Sequence, residues 1–352
     1  MRGERFQERR RRKSLQSTAS FVDSLRGEKR FAQTVGDEMK RINKREVLKK
    51  LKPFKRKKII LQFPEGLKRE ALNLADFLES MGFEVKILGD LCFGACDLFE
   101  TRDLLLHFGH SEVMRRKNTI YFELFEDFNF IPLIKKNLEI LPEKIGLIST
   151  IQYVKNLDAV KEFLEKEGFE VLIGEGDSRV KYPGQILGCN FSAAKTVEEK
   201  VKAYLYLGNG FFHPIGVSLS TQKKVFSVGD GFSEVSADEI LRQRFAQIFK
   251  ARNAKNFGII LSTKKGQYRY KRAKELKRYL EERGKKAYII EMNEITQRAL
   301  AGFMLDCYVI CACPRIAIDD VLRFEKPSLT ASEVKLLFED GEYEMDEIKL
   351  LC

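Results

Sequence analysis

No apolar run in this 352-residue chain approaches the about 18 residues that a membrane-spanning helix needs. No apolar stretch follows the basic start, MRGERFQERRRRKSLQ, so it does not read as a secretory signal. Glu4 and Glu8 within it argue against an organelle transit peptide. An even cysteine count is also missing, and seven cysteines in a chain this long do not form a secreted disulfide framework. The expected setting is reducing and cytoplasmic, where cysteine acts as core filler, nucleophile or metal ligand. Nor are apolar residues scarce: 44% hydrophobic and 11% aromatic content excludes a disordered or collagen-like chain. The length predicts two or three domains.

The net charge of +12 sits in one place. Residues 1–58 hold 21 Lys/Arg against 7 Asp/Glu, or +14, while the other 294 residues hold 42 against 44, or −2. The basic character is therefore an N-terminal arm on a nearly neutral body. Such an arm is either a solvated extension or a docking segment for nucleic acid or an acidic partner. It lacks aromatic interleaving and any nucleic-acid-binding signature.

The body repeats itself. FLESMGFEV (77–85), FLEKEGFEV (163–171) and YLEERGKKA (279–287) each end an amphipathic helix on a glycine. Gly82, Gly168 and Gly284 occupy the position just past the helix, where left-handed geometry favours glycine. A short apolar strand follows each glycine, and another (KKIILQF, KIGLIST, NFGIILST) opens each unit. Three strand–helix–strand units of this kind predict three α/β domains with parallel sheets. The expected division is an arm over 1–45 and domains over 46–143, 144–254 and 255–352. In such sheets ligands bind beyond the carboxyl ends of the strands.

One cysteine follows each repeat: Cys96 in GDLCFGACD, Cys189 in GQILGCN and Cys313 in CACPR. Three domains around a pseudo-threefold axis would bring these thiolates to one point. Three thiolates suit an iron–sulfur cluster and leave a fourth coordination position open. Free cysteines also commonly just pack, and Cys307 and Cys352 are read as filler or terminal. Cys92 with Cys96, and Cys311 with Cys313, are candidate chelating pairs that zinc would accept. The Cys-x-x-x-Cys-x-x-Cys spacing is absent, because Phe99 holds its third place. Spacing alone does not choose between Cys92 and Cys96.

These segments resemble the radical enzymes of diphthamide biosynthesis. The resemblance rests on QFPEGL (62–67), GACD (94–97), HFGHS (107–111), GDSR (176–179), GQILGCN (184–190), GNGFFHPIG (208–216), KKGQ (264–267) and ACPR (312–315). It runs from about residue 46 to the C-terminus, and the archaeal, homodimeric form is the nearest in pattern. The resemblance implies three similar α/β domains and a 4Fe-4S cluster held by Cys96, Cys189 and Cys313. It implies S-adenosylmethionine as co-substrate, cleaved between sulfur and the γ-carbon. The 3-amino-3-carboxypropyl group would pass to C2 of a histidine imidazole in translation elongation factor 2, leaving 5′-methylthioadenosine. An electron donor of unidentified nature is implied too. Candidate co-substrate contacts are Asp177, Ser178, Arg179, Gln185, His213 and Gln267. His107, His110 and Arg315 are further polar candidates, with a salt bridge to Asp319 or Asp320 the plainer role for Arg315. Competing readings are a quinolinate-synthase-like iron–sulfur lyase and a non-catalytic partner subunit.

Overall fold

The computed structural model describes residues 42–54 and 58–348. Most of the basic arm, and Cys352, lie outside the described residues. The body starts with helix α1 (Lys44–Leu51), whose first turn is capped by the Asn43 side chain accepting from the Arg45 and Glu46 amides.

Three sheets follow with one shared strand order. The first runs β2 (Glu84–Ile87), β1 (Lys58–Gln62), β3 (Leu104–Phe108), β4 (Thr119–Phe122). The second runs β6 (Glu170–Leu172), β5 (Lys144–Ser149), β7 (Ala203–Leu207), β8 (Lys224–Val228), β9 (Phe232–Val235). The third runs β11 (Lys286–Met292), β10 (Asn256–Ser262), β12 (Cys307–Cys311), β13 (Ser328–Thr330). The opener strand of each repeat is thus an inner strand, and the strand after each repeat glycine is its edge neighbour. Every pairing is parallel except β8 with β9. Only residues 229–231 join those two, too short a link for a crossover, so they form a hairpin. Every residue of β3, β7 and β12 is buried, as expected of inner strands covered on both faces.

The repeat helices are α2 (Lys68–Ser80), α3 (Leu157–Lys166) and, further along the chain, Tyr270–Glu281. Their buried residues recur at helical spacing: Leu74 and Leu78, Val160 and Leu164, Leu276 and Leu280. Each helix ends in the same two-bond cap. The amides of Gly82, Gly168 and Gly284 reach the carbonyls of Glu79, Glu165 and Glu281. The next amides, of Phe83, Phe169 and Lys285, reach Leu78, Leu164 and Leu280. The three glycines take φ of +85°, +95° and +73°, the left-handed geometry that this cap requires. The repeat read from the sequence is therefore a repeat of geometry.

Helix α4 (Phe212–Thr221) covers the second sheet, and α5 (Asp238–Ala251) crosses from the second sheet to the third. There Arg244, fully buried, forms a fork with Glu333: Nε to Oε1 at 2.8 Å and Nη2 to Oε2 at 2.7 Å. Its remaining donors reach the carbonyls of Ala317 and Ser328. With Tyr270–Glu281 as α6 and Pro314–Ile318 as α7, these are the elements that position the site. Among the described residues no helix is long and apolar enough to cross a membrane.

Candidate metal centre

Cys96 lies in the long loop between β2 and β3, and Cys189 in the loop between β6 and β7. Cys313 is the N-cap residue of α7, directly after β12, with Pro314 setting the first helical turn. The loops bring all three to one cavity of about 270 Å³, which His110, Arg179, His213 and Arg315 also line. Cys92 and Cys311 do not line it. Cys311 and Cys307 are inner-strand residues of β12, packed in the core of the third sheet. The geometry thus separates Cys96 from Cys92 and Cys313 from Cys311, which spacing could not do.

The match between domains is spatial rather than topological. Cys96 and Cys189 follow the edge strand of their units, whereas Cys313 follows the third strand of its own. The cysteines thus do not sit at equivalent places in the three repeats.

Burial is the largest effect on each thiol and pushes its pKa up, to about 12 for Cys189. The Cys313 thiol is also raised by the charges of Cys189 and Cys96, which marks the three sulfurs as mutual neighbours. Three thiolates on one cavity, Cys189 buried and Cys96 and Cys313 half-buried, are costly unless a cation shares them. Two donors offset part of that cost. Gln267 Nε2 donates to Cys96 Sγ at 3.4 Å, and Arg179 Nη2 donates to Cys189 Sγ at 3.7 Å.

Arg179 provides the test of fit. Its side chain is 1% exposed, its Nη1 donates to the carbonyl of Ile348, and its Nε has no hydrogen-bond partner among the described residues. Neither hydrogen bond of the guanidinium goes to a carboxylate. A buried guanidinium of that kind calls for an anion beside it. An iron–sulfur cluster held by three thiolates is such an anion, so the residues present fit the group.

The co-substrate candidates part ways. His213 lines the cavity, its ring stacked on Tyr206 at 6.3 Å between centroids, and burial lowers its pKa to about 3. Arg179 also lines it. Gln267 is committed to the Cys96 thiol. Gln185 is fully buried and its amide is used in bracing: Nε2 donates to Ser111, and Oε1 accepts from the amides of Lys181 and Tyr182. Asp177 serves its own turn, accepting from the Arg179 amide and from Asn190 Nδ2, and Ser178 is exposed on that turn. Arg315 pairs with Asp319 at 2.7 Å while its guanidinium stacks on Phe212 at the cavity wall.

Sequence reasoning gave no individual role to Gln62, quoted within QFPEGL, or to Gln152, in the IQY loop after the second opener strand, and it missed the C-terminal segment. Gln152 lines the cavity from the loop after β5. The Ile348 amide donates to the Cys189 carbonyl at 2.9 Å, and Asp346 pairs with Arg269 at 2.7 Å, strapping residues 346–348 over the Cys189 loop. A polar residue ending an apolar opener strand was a usable signal for Gln62; the strap carries no periodic signal.

Gly266 shows how closely the third unit meets the first. Its amide donates to the Cys96 carbonyl at 3.2 Å, and a β-carbon there would lie 2.4 Å from Cys96 Cα. Backbone cannot yield to that overlap locally, so Gly266→Ala is expected to displace the Cys96 loop. Iron affinity measured by chelator competition should fall about ten- to a hundredfold, as for loss of a ligand-supporting residue. Unfolding by denaturant should be affected far less than iron binding.

Against known proteins, residues 63–349 match the model of the diphthamide synthesis protein family. The 2-(3-amino-3-carboxypropyl)histidine synthase of Pyrococcus horikoshii is 42% identical over 87% of this chain and 93% of its own length. That of Methanocaldococcus jannaschii is 30% identical over 83% of this chain and 88% of its own. A crystal structure of Dph2 from Pyrococcus horikoshii superposes with a TM-score of 0.84 at 41% identity, covering 88% of this chain and 94% of that one. A second crystal structure of that protein, with a 4Fe-4S cluster, gives 0.83. Sharing sequence and all three sheets with these proteins over nearly its whole described length, the chain belongs to the diphthamide synthesis protein family.

Proposed function

We propose that this chain transfers the 3-amino-3-carboxypropyl group of S-adenosylmethionine to a histidine of translation elongation factor 2, the first step of diphthamide biosynthesis. The observation that carries this reading is the convergence of Cys96, Cys189 and Cys313, from three sheets, on one cavity. In this reading the three thiolates hold a 4Fe-4S cluster with one iron left open to the co-substrate. When bound, the cluster supplies the electron that splits the sulfur–γ-carbon bond. The chain's own residues do the rest. Arg179 and Gln267 hold the Cys189 and Cys96 thiolates by N–H···S bonds and offset their charge. His110, His213, Gln152 and Arg315 give the cavity wall the polar groups that an amino-acid moiety requires. The domain division at 46–143, 144–254 and 255–352, a homodimer, a separate electron donor and a cytoplasmic setting belong to the same proposal.

The test is product analysis. The anaerobically reconstituted protein, reduced with dithionite and given S-adenosylmethionine, should release 5′-methylthioadenosine. Predominant 5′-deoxyadenosine would place it with enzymes that break the adenosyl bond. Absence of any cleavage would favour an iron–sulfur lyase or a non-catalytic subunit.

A further inference from the structure

A chain of hydrogen bonds runs from the backbone beside Cys96 into the cavity. Gln62, at the end of β1, donates through Nε2 to the carbonyl of Asp97 at 2.7 Å. A carbonyl can only accept, so the amide is fixed with its NH₂ towards Asp97. Its Oε1 therefore faces His107 Nδ1, at 3.0 Å, and also accepts from the Phe99 amide at 3.5 Å. An amide oxygen can only accept, so His107 carries its proton on Nδ1. His107 is fully buried, and burial lowers its pKa to about 3, so the ring is neutral and its Nε2 is a bare lone pair. That lone pair faces His110 Nδ1 at 3.0 Å. His110 must then carry its proton on Nδ1. Burial lowers the His110 pKa to about 4, so this ring is neutral too, and its Nε2 is left unprotonated. The Tyr121 ring, edge-on at 5.6 Å, holds the His107 plane. His110 lines the cavity with the three cysteines, and no hydrogen bond reaches its Nε2 among the described residues. A fixed backbone carbonyl thus sets, through two side chains, which nitrogen of His110 stays free to accept a proton.

We infer that His110 is the proton acceptor of the transfer reaction, taking at Nε2 the hydrogen that leaves C2 of the target imidazole. The inference rests on the transferase reading above. Its chemistry balances. The 3-amino-3-carboxypropyl radical forms a carbon–carbon bond to C2, and the unpaired electron moves onto the ring. To become aromatic again the ring gives up the C2 proton and one electron. The proton goes to His110 Nε2. The electron goes to the oxidised iron–sulfur group, which gave one up when the sulfur–carbon bond broke, so no net reductant is consumed. A base placed at the developing acid contributes about a hundredfold or more to such a step.

The rings have one rival use. Ligand atoms of Cys92, His107 and His110 lie within 4.8 Å of one another, close enough to hold a metal ion. A metal seated between the two rings replaces the His110 Nδ1 proton and leaves the remaining proton on Nε2. The two uses therefore put the His110 proton on opposite nitrogens. The chain contains three histidines, so a ¹⁵N-histidine-labelled, cluster-free full chain gives three rings to resolve by NMR. His110, assigned by its loss in His110→Gln, should show a protonated Nδ1 and an unprotonated Nε2. A protonated Nε2, by either tautomer or metal, overturns the inference. In the reconstituted enzyme with elongation factor 2, the ratio of modified histidine to 5′-methylthioadenosine should fall about a hundredfold in His110→Gln. An unchanged ratio overturns it as well. If the unaltered enzyme makes no 5′-methylthioadenosine at all, the transferase reading fails and takes the base role with it. The NMR result still reports the tautomer in that case, so the two failures are told apart.

Discussion

Serine at Cys96, Cys189 or Cys313 is expected to leave a folded chain that takes up almost no iron. The hydroxyl is a poor ligand for iron that thiolates bind well, and among the described residues each unit supplies a single thiol to the cavity. Removing one leaves two thiolates from two different units, and no other described cysteine lines the cavity. Iron content after anaerobic reconstitution, and the absorbance of the cluster, measure the loss. Reductive cleavage of S-adenosylmethionine should vanish with it. Cys92→Ser is the control, because Cys92 does not line the cavity although it stands four residues from Cys96. Equal iron loss in Cys92→Ser would show that the ligand set is drawn wrongly. Thermal unfolding of the cluster-free forms should differ little, because the three thiols face a cavity and not the sheet cores.

The second large effect concerns stability. Arg244→Met is expected to destabilise the chain by about 3–5 kcal/mol, the cost of leaving one member of a buried ion pair alone. Both side chains are wholly buried, so water cannot take the place of the missing guanidinium. The substitution also strands the carbonyls of Ala317 and Ser328, which Arg244 now satisfies. Glu333 would keep the Thr330 amide at 2.7 Å and little else. Denaturant unfolding measures the loss. The double variant Arg244→Met with Glu333→Leu should recover part of it, because it buries no unpaired charge. If the single variant unfolds at the same denaturant concentration as the parent, the fork contributes nothing to docking α5 on the third sheet.

Much of the fold was legible because its signals are local. A left-handed cap needs glycine, and an inner strand needs an unbroken apolar run. Gly82, Gly168 and Gly284, with the strands beside them, therefore revealed the repeat without any tertiary information. The hairpin partner β9 was not anticipated, since FSEV after a three-residue turn looks like loop. The site was half legible. At least one cysteine after each repeat glycine could be counted, and the resemblance singled out Cys96, but a choice between Cys96 and Cys92 on geometry needed the path of a long irregular loop. Polar side chains were harder still. Gln185 and Gln267 follow glycines in similar loops, yet one braces its own turn and the other holds a thiol. Such differences arise from contacts across 74 and 171 residues, which no periodicity encodes.

The strap over the Cys189 loop bears on when the protein becomes able to take up metal. Asp346 and Ile348 follow all three cysteines in the sequence, so they are synthesised after them. Until they have been made, the Cys189 carbonyl and the Arg179 guanidinium lack the partners that fix them. A nascent chain already displaying Cys96, Cys189 and Cys313 therefore presents an unbraced Cys189 loop and not a finished pocket. Cofactor loading follows synthesis of the strap, not of the last thiol.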